Sequence, residues 1–124
     1  MAIDTSLKFV AINIAVLTIS DTRTAETDTS GALLHERINT AGHKCIKKLI
    51  IPDDVEKIKQ TLEKLSNEKE IDCIITTGGT GLTGRDTTPE AVMKIADKTI
   101  EGFGELFRQV SFSKIGTSAI QSRA

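Results

Sequence analysis

The residues best suited to chemistry lie in one stretch, Thr76-Thr-Gly-Gly-Thr-Gly-Leu-Thr-Gly-Arg-Asp-Thr-Thr-Pro-Glu90. Four glycines (Gly78, Gly79, Gly81 and Gly84) fall within seven residues, more than a simple turn needs. Glycine adopts backbone conformations closed to other residues and lets a ligand approach the main chain. The N–H groups of such a loop, with the N-terminus of a helix starting near Pro89, predict a site for phosphate or another anion. Asp86 stands inside this loop. A carboxylate beside a phosphate cradle is repulsive unless it holds a cation, and Mg²⁺ is the natural choice. The other role open to Asp86 is to cap a turn or to pair with Arg85. Two more acids are expected at the same edge of the fold, Asp21 in Ser20-Asp21-Thr22-Arg23 and Asp53 after Pro52. The three carboxylates are expected to converge on one crevice, although each alone also reads as a cap or turn residue.

Two better-known loops are close in spelling. Gly79-Thr-Gly81-Leu-Thr-Gly84 is a literal G-x-G-x-x-G. In the dinucleotide fingerprint, however, the glycines follow the first strand and open the helix directly. Here four residues intervene before Pro89. Gly79 and Gly84 also have Walker A spacing, but Arg85 and Asp86 stand where Lys and a hydroxyl are required.

The elements that must position these residues alternate. Phe9 to Ile19 is the most apolar run and reads as a buried strand, and Ile12 to Ser20, rich in Ile, Val and Leu, reads as a strand buried on both faces. Ala32 to Ala41 has helical spacing, with Asp28 or Ser30 as cap and Gly42 as stop. His43 to Ile51 reads as a strand whose lysines mark an edge. Val55, Ile58, Leu62 and Leu65 form one stripe of a helix beginning at Asp54. Ile71 to Thr77 is a third strand. Pro89 behind Thr88 starts a helix carrying Ala91, Val92, Ile95 and Ala96. Gly102-Phe103-Gly104 breaks the pattern before a short helix over Glu105 to Val110. Strand and helix in alternation predict an α/β fold, a three-layer αβα arrangement around a central, mostly parallel sheet.

Composition narrows the functions. The chain has 124 residues, sixteen basic and seventeen acidic, for a net charge of −1. A nucleic-acid binder needs a basic surplus, and four Phe with no Trp or Tyr give no stacking platform. Cys45 and Cys73 are too few and too far apart for a zinc or redox site and read as small buried hydrophobes. His35 and His43 read as surface or helix-end residues. No run reaches the about 18 apolar residues of a membrane span, and the Phe9 run lacks a cleavage site, so no membrane is expected and a cytoplasmic location is.

Several segments together resemble the MoaB/Mog family of molybdenum-cofactor biosynthesis, which includes molybdopterin adenylyltransferases and a domain of gephyrin. They are Ser20-Asp21-Thr22, Asp28-x-Ser-Gly31, Pro52-Asp53, the whole Thr76–Glu90 motif, Gly102-Phe-Gly-Glu-Leu-Phe-Arg108 and Ser122-Arg123. The resemblance runs from about residue 14 to the end of the chain. It implies a homotrimer or homohexamer that transfers AMP from Mg-ATP to the terminal phosphate of molybdopterin. Thr77, Gly78, Gly79, Thr80 and Gly81 would then cradle phosphate, and Asp53 and Asp86 would serve Mg²⁺ and the phosphoryl centre as catalytic residues. Ser20, Asp21 and Thr22 would line the pocket, Glu105 would lie near the pterin, and Ser122 and Arg123 beside the phosphates. Residues 1–124 are expected to form a single domain of this type, with the family pattern continuing past Ala124 into another strand and a Gly-Ser-Pro type loop. The alternatives are a non-catalytic molybdopterin-binding or assembly protein and an inactive, shortened member.

Overall fold

In the computed structural model, which describes residues 2–124, β1 (Asn13–Ile19) lies between two parallel partners. These are β2 (Lys44–Ile51) and β3 (Cys73–Thr77), in the order β2-β1-β3. The middle strand is covered on both faces. Leu17 and Ile19 pack with Ile58, Leu62 and Ala91 on one side. Ile14 and Val16 pack with Ile38 on the other. Successive side chains of a strand point to opposite faces, so a doubly covered strand needs an unbroken apolar run.

The helices divide accordingly. From α1 (Thr29–Thr40), Ile38 and Leu34 cover one face. From α2 (Val55–Ser66) and α3 (Thr88–Met93), Val55, Ile58, Leu62, Ala91 and Val92 cover the other. The α/β fold with a parallel sheet and helices on both sides is the one the alternating pattern predicts. The Asp28 carboxylate caps α1 by accepting from the Gly31 amide, and Gly42 follows the helix at φ +90°. Asp54, not Asp53, caps α2 by accepting from the Lys57 amide at 2.9 Å. Asp53 is thereby released for other contacts.

Four expectations need correction. Phe9 and Val10 do not join the buried strand; they are 66% and 72% exposed, and the Phe9 ring packs on His43 with centroids 5.0 Å apart. Pro89 is the second residue of α3, because Thr87 is the cap, and the helix stops at Met93 before Ile95. Cys45 and Cys73 are free and only half-buried. Finally, Gly102 and Gly104 do not break a helix. They lie within α4 (Glu101–Ile115), a single helix followed by a 3₁₀ segment at Gly116–Gln121. Gly104 is there for a tertiary reason: a Cβ on it would stand 2.6 Å from the Ala124 carbonyl oxygen.

Leu17 is fully buried between the sheet and α2. Leu17→Ala is expected to lower the unfolding free energy by about 2–5 kcal/mol in a denaturant titration. A loss well below 1 kcal/mol would contradict the central position of β1.

Candidate functional site

The chain leaves β3 at Thr77 and turns at once. Gly78 and Gly79 have φ of +93° and +64°. A Cβ at Gly78 would lie 2.1 Å from the Ile19 carbonyl oxygen, and one at Gly79 would lie 2.2 Å from Thr88 Oγ1. Both positions therefore require glycine by conformation and by space. Buried Thr88 closes the loop: its hydroxyl donates to the Gly78 carbonyl at 2.9 Å and its amide to the Gly79 carbonyl at 3.0 Å. The N–H groups of Gly79, Thr80 and Leu82 donate to no partner among the described residues. Main-chain donors left free in a glycine loop are what an anion cradle offers.

Asp53, which is buried, joins the loops that follow all three strands. Its Oδ1 accepts from the Thr87 amide at 3.1 Å and the Thr87 hydroxyl at 2.6 Å. Its own amide donates to Asp21 Oδ1 at 3.1 Å. Its Oδ2 lies 2.6 Å from the place where a Gly79 Cβ would be. Asp21 Oδ2 in turn accepts from Arg85 Nε at 3.2 Å and Nη2 at 2.7 Å. The Arg85 hydrogen bond, and after it the Asp53 amide, holds the Asp21 carboxyl below its usual range, while Arg85 is pushed up.

Asp86 has a turn-capping role: its Oδ2 accepts from the Thr83 amide at 3.0 Å and the Thr83 hydroxyl at 2.6 Å. These bonds lower its carboxyl from the ordinary 3.8, the hydroxyl most, with the Gly81 amide and the Arg123 charge adding to the effect. Asp86 does not pair with Arg85, which Asp21 engages. A Gly81 Cβ would stand 2.6 Å from Asp86 Oδ2. Asp53 and Asp86 thus press on glycines of the same loop.

The three strand-end acids do not form one cage. Among the described residues no group of three His, Cys, Asp or Glu could hold a metal ion. Mg²⁺ asks for less, one or two carboxylates with phosphate oxygens and water completing its shell. Asp53 Oδ2 and Asp86 Oδ1 have no well-formed hydrogen bond from the described chain. Each of the two therefore keeps one carboxylate oxygen free of the protein.

A crevice of about 150 Å³ opens beside the loop, lined by Thr18, Ser20, Arg23, Asp28, Ser30, Thr77 and Gly78 among others. It lies at the carboxyl ends of β1 and β3, where ligands bind in open α/β sheets. Ser20 shapes its rim, the hydroxyl accepting from the amides of Thr22 and Arg23 at 3.2 and 3.1 Å. Arg23 and Asp28 line the crevice without having been singled out as ligand contacts. The signal for Asp28 was its capping position, which gave no hint that it is buried and accepts from Thr18 Oγ1 at 2.8 Å.

The remaining candidates are dispersed. Glu105 is exposed on α4, with no hydrogen bond to the loop among the described residues. Ser122 Oγ accepts from the Ala124 amide at 3.4 Å. Arg123 does reach the loop, through Thr80, Asp86 and Glu90.

A parallel, three-layer α/β sheet with a glycine loop and a crevice at its carboxyl edge defines a ligand-binding class of domain. Within that class, the chain belongs to the family described as probable molybdopterin binding domain, whose profile matches residues 15–124. It is 52% identical over 110 residues to molybdenum cofactor biosynthesis protein B of Bacillus cereus. That match covers 88% of this chain and 65% of the relative, so the chain spans about two-thirds of the relative's length. A crystal structure of molybdenum cofactor biosynthesis protein B matches with a TM-score of 0.89 at 49% identity, over 93% of this chain and 72% of that one. The tungsten cofactor synthesizing protein MoaB from Pyrococcus furiosus matches with a TM-score of 0.78 at 31% identity, over 91% of this chain and 70% of that one.

The loop geometry separates its glycines. Gly84 has nothing within 4 Å of its Cβ position and no positive φ. Gly84→Ala is expected to change stability by less than about 0.5 kcal/mol. Gly79→Ala is expected to cost at least about 1–3 kcal/mol from backbone strain alone. Paired thermal melts of the two variants check this, and equal effects would contradict the loop conformation.

Proposed function

We propose that the chain acts in molybdenum cofactor biosynthesis, transferring AMP from Mg-ATP to the terminal phosphate of molybdopterin. The observation that carries the reading is the set of unpartnered loop amides at the carboxyl edge of the sheet, flanked by Asp53 and Asp86. Membership of the family and the names of the relatives support it. In this reaction an oxygen of the pterin phosphate bonds to the α-phosphorus of ATP. The bond from that phosphorus to the bridging oxygen breaks, and pyrophosphate leaves with the electron pair.

Such transfers ask chiefly for positioning and charge neutralisation. In this reading the Gly78–Gly81 amides cradle one phosphate group. Ser20, Thr22 and Thr77 provide polar walls, with Arg23 supplying positive charge at the crevice. Mg²⁺ bound with the nucleotide would neutralise phosphate charge beside Asp53 and Asp86. The turn that Asp86 caps holds one carboxylate oxygen in place and leaves the other for a cation.

The reading includes a homo-oligomer, a trimer or a pair of trimers. Phe103, Leu106, Phe107 and Val110 recur at helical spacing on α4 and are 46–65% exposed. A continuous apolar stripe of this kind marks an interaction surface. Leu106→Glu is expected to shift the assembly toward monomer in sedimentation equilibrium; a monomeric unmodified chain would contradict this part of the reading.

The activity is tested by following adenylated molybdopterin by mass spectrometry, with the chain beside its Asp86→Asn variant. Asn retains the Thr83 acceptor and removes the charge. The expected result is product from the unmodified chain and at least about a 100-fold lower rate from the variant, the scale of losing one charge-stabilising group. Pterin binding without turnover, indifferent to Asp86→Asn, would replace the enzyme with a binding protein.

A further inference from the structure

Arg123 lies far along the chain from the glycine loop, yet its guanidinium is committed to it. Nε donates to the Thr80 carbonyl at 3.3 Å and Nη2 to the Asp86 carbonyl at 2.7 Å. Nη1 forms an ion pair with Glu90, whose second oxygen lies 3.4 Å from Nη2. A guanidinium has five N–H donors in a fixed plane, and this arrangement uses most of them on the protein. Glu90 is a firm anchor, because it lies in the first turn of α3, whose opening residue Thr88 is bonded to Gly78 and Gly79. The hydrogen bond from Arg123 lowers the Glu90 carboxyl from its ordinary 4.5, so the anchor stays charged at neutral pH.

We propose that Arg123 is a positioning residue: held by Glu90, it grips the carbonyls of Thr80 and Asp86 and sets the shape of the loop, without itself contacting the ligand phosphate. The description of that ligand rests on the function proposed above; the brace does not. An incoming phosphate would have to displace a carboxylate already in place and two carbonyls. The fork geometry explains why arginine stands here. Lysine is a point charge on a flexible stem and cannot hold Glu90 and two divergent carbonyls at once.

The two roles predict opposite signs for one substitution. If Arg123 were a phosphate ligand, Glu90→Gln would release it and tighten anion binding. If it is a brace, Glu90→Gln loosens the loop as Arg123→Gln does. The experiment measures exchange of the hydrogen-bonded loop amides, Thr83, Arg85 and Asp86, in the unliganded chain, together with binding of a non-hydrolysable Mg-ATP analogue. Arg123→Gln, Arg123→Lys and Glu90→Gln are each expected to speed loop exchange about tenfold or more, the scale of one charge-assisted hydrogen bond. Exchange in β1 and the cooperative melt should stay unchanged, which separates a local brace from general destabilisation. Unchanged loop exchange in Arg123→Gln, or tighter analogue binding in Glu90→Gln, overturns the proposal. If the loop responds as expected while the unmodified chain binds no analogue, the brace stands and the nucleotide reading falls.

Discussion

The site depends on one buried carboxylate. Asp53 receives two hydrogen bonds from Thr87, offers its amide to Asp21 and touches Gly79, so the segments after β1, β2 and β3 meet at one residue. A buried carboxylate is costly unless it is hydrogen-bonded. That cost gives the connection its strictness: Thr87 must start α3 where it does, and Gly79 must leave room. Asp21 ties the same three loops a second time, through the Asp53 amide and Arg85.

The sheet supplies the frame on which that connection is built. β1 is covered on one face by α1 and on the other by α2 and α3. The buried Thr18–Asp28 pair then joins the end of β1 to the start of α1 beside the crevice. On the other side, β2 carries an irregularity: Ile14 opposes Cys45 while Ala15 opposes Lys47, so Ile46 is an extra residue. A bulge adds twist to an edge strand, and beyond it Lys47 reaches Glu68 after α2.

Local signals made most of this frame legible. Alternation, apolar runs and the cap at Asp28 act over a few residues, and β1, α1, β2, α2 and β3 follow from them. α4 did not, because Gly102 and Gly104 weaken helix propensity locally while the close approach at Gly104 is to Ala124, distant in sequence. The site divides in the same way. The glycine loop and Asp86 were visible because their chemistry is crowded into one segment. The pairing of Arg85 with Asp21, the inward turn of Asp53 and the grip of Arg123 on Thr80 join residues that only the fold brings together.

The span of that last contact also orders events in time. Arg123 and Asp86 are 37 residues apart, and a chain emerging from the ribosome presents its N-terminal parts first. The strands and the whole Thr76–Glu90 segment are synthesised before Arg123. The sheet can pair during that interval, whereas the loop amides remain unbraced until Arg123 follows. The parallel sheet can therefore be in place before the contact that braces the loop, an order of maturation written into the spacing of its residues.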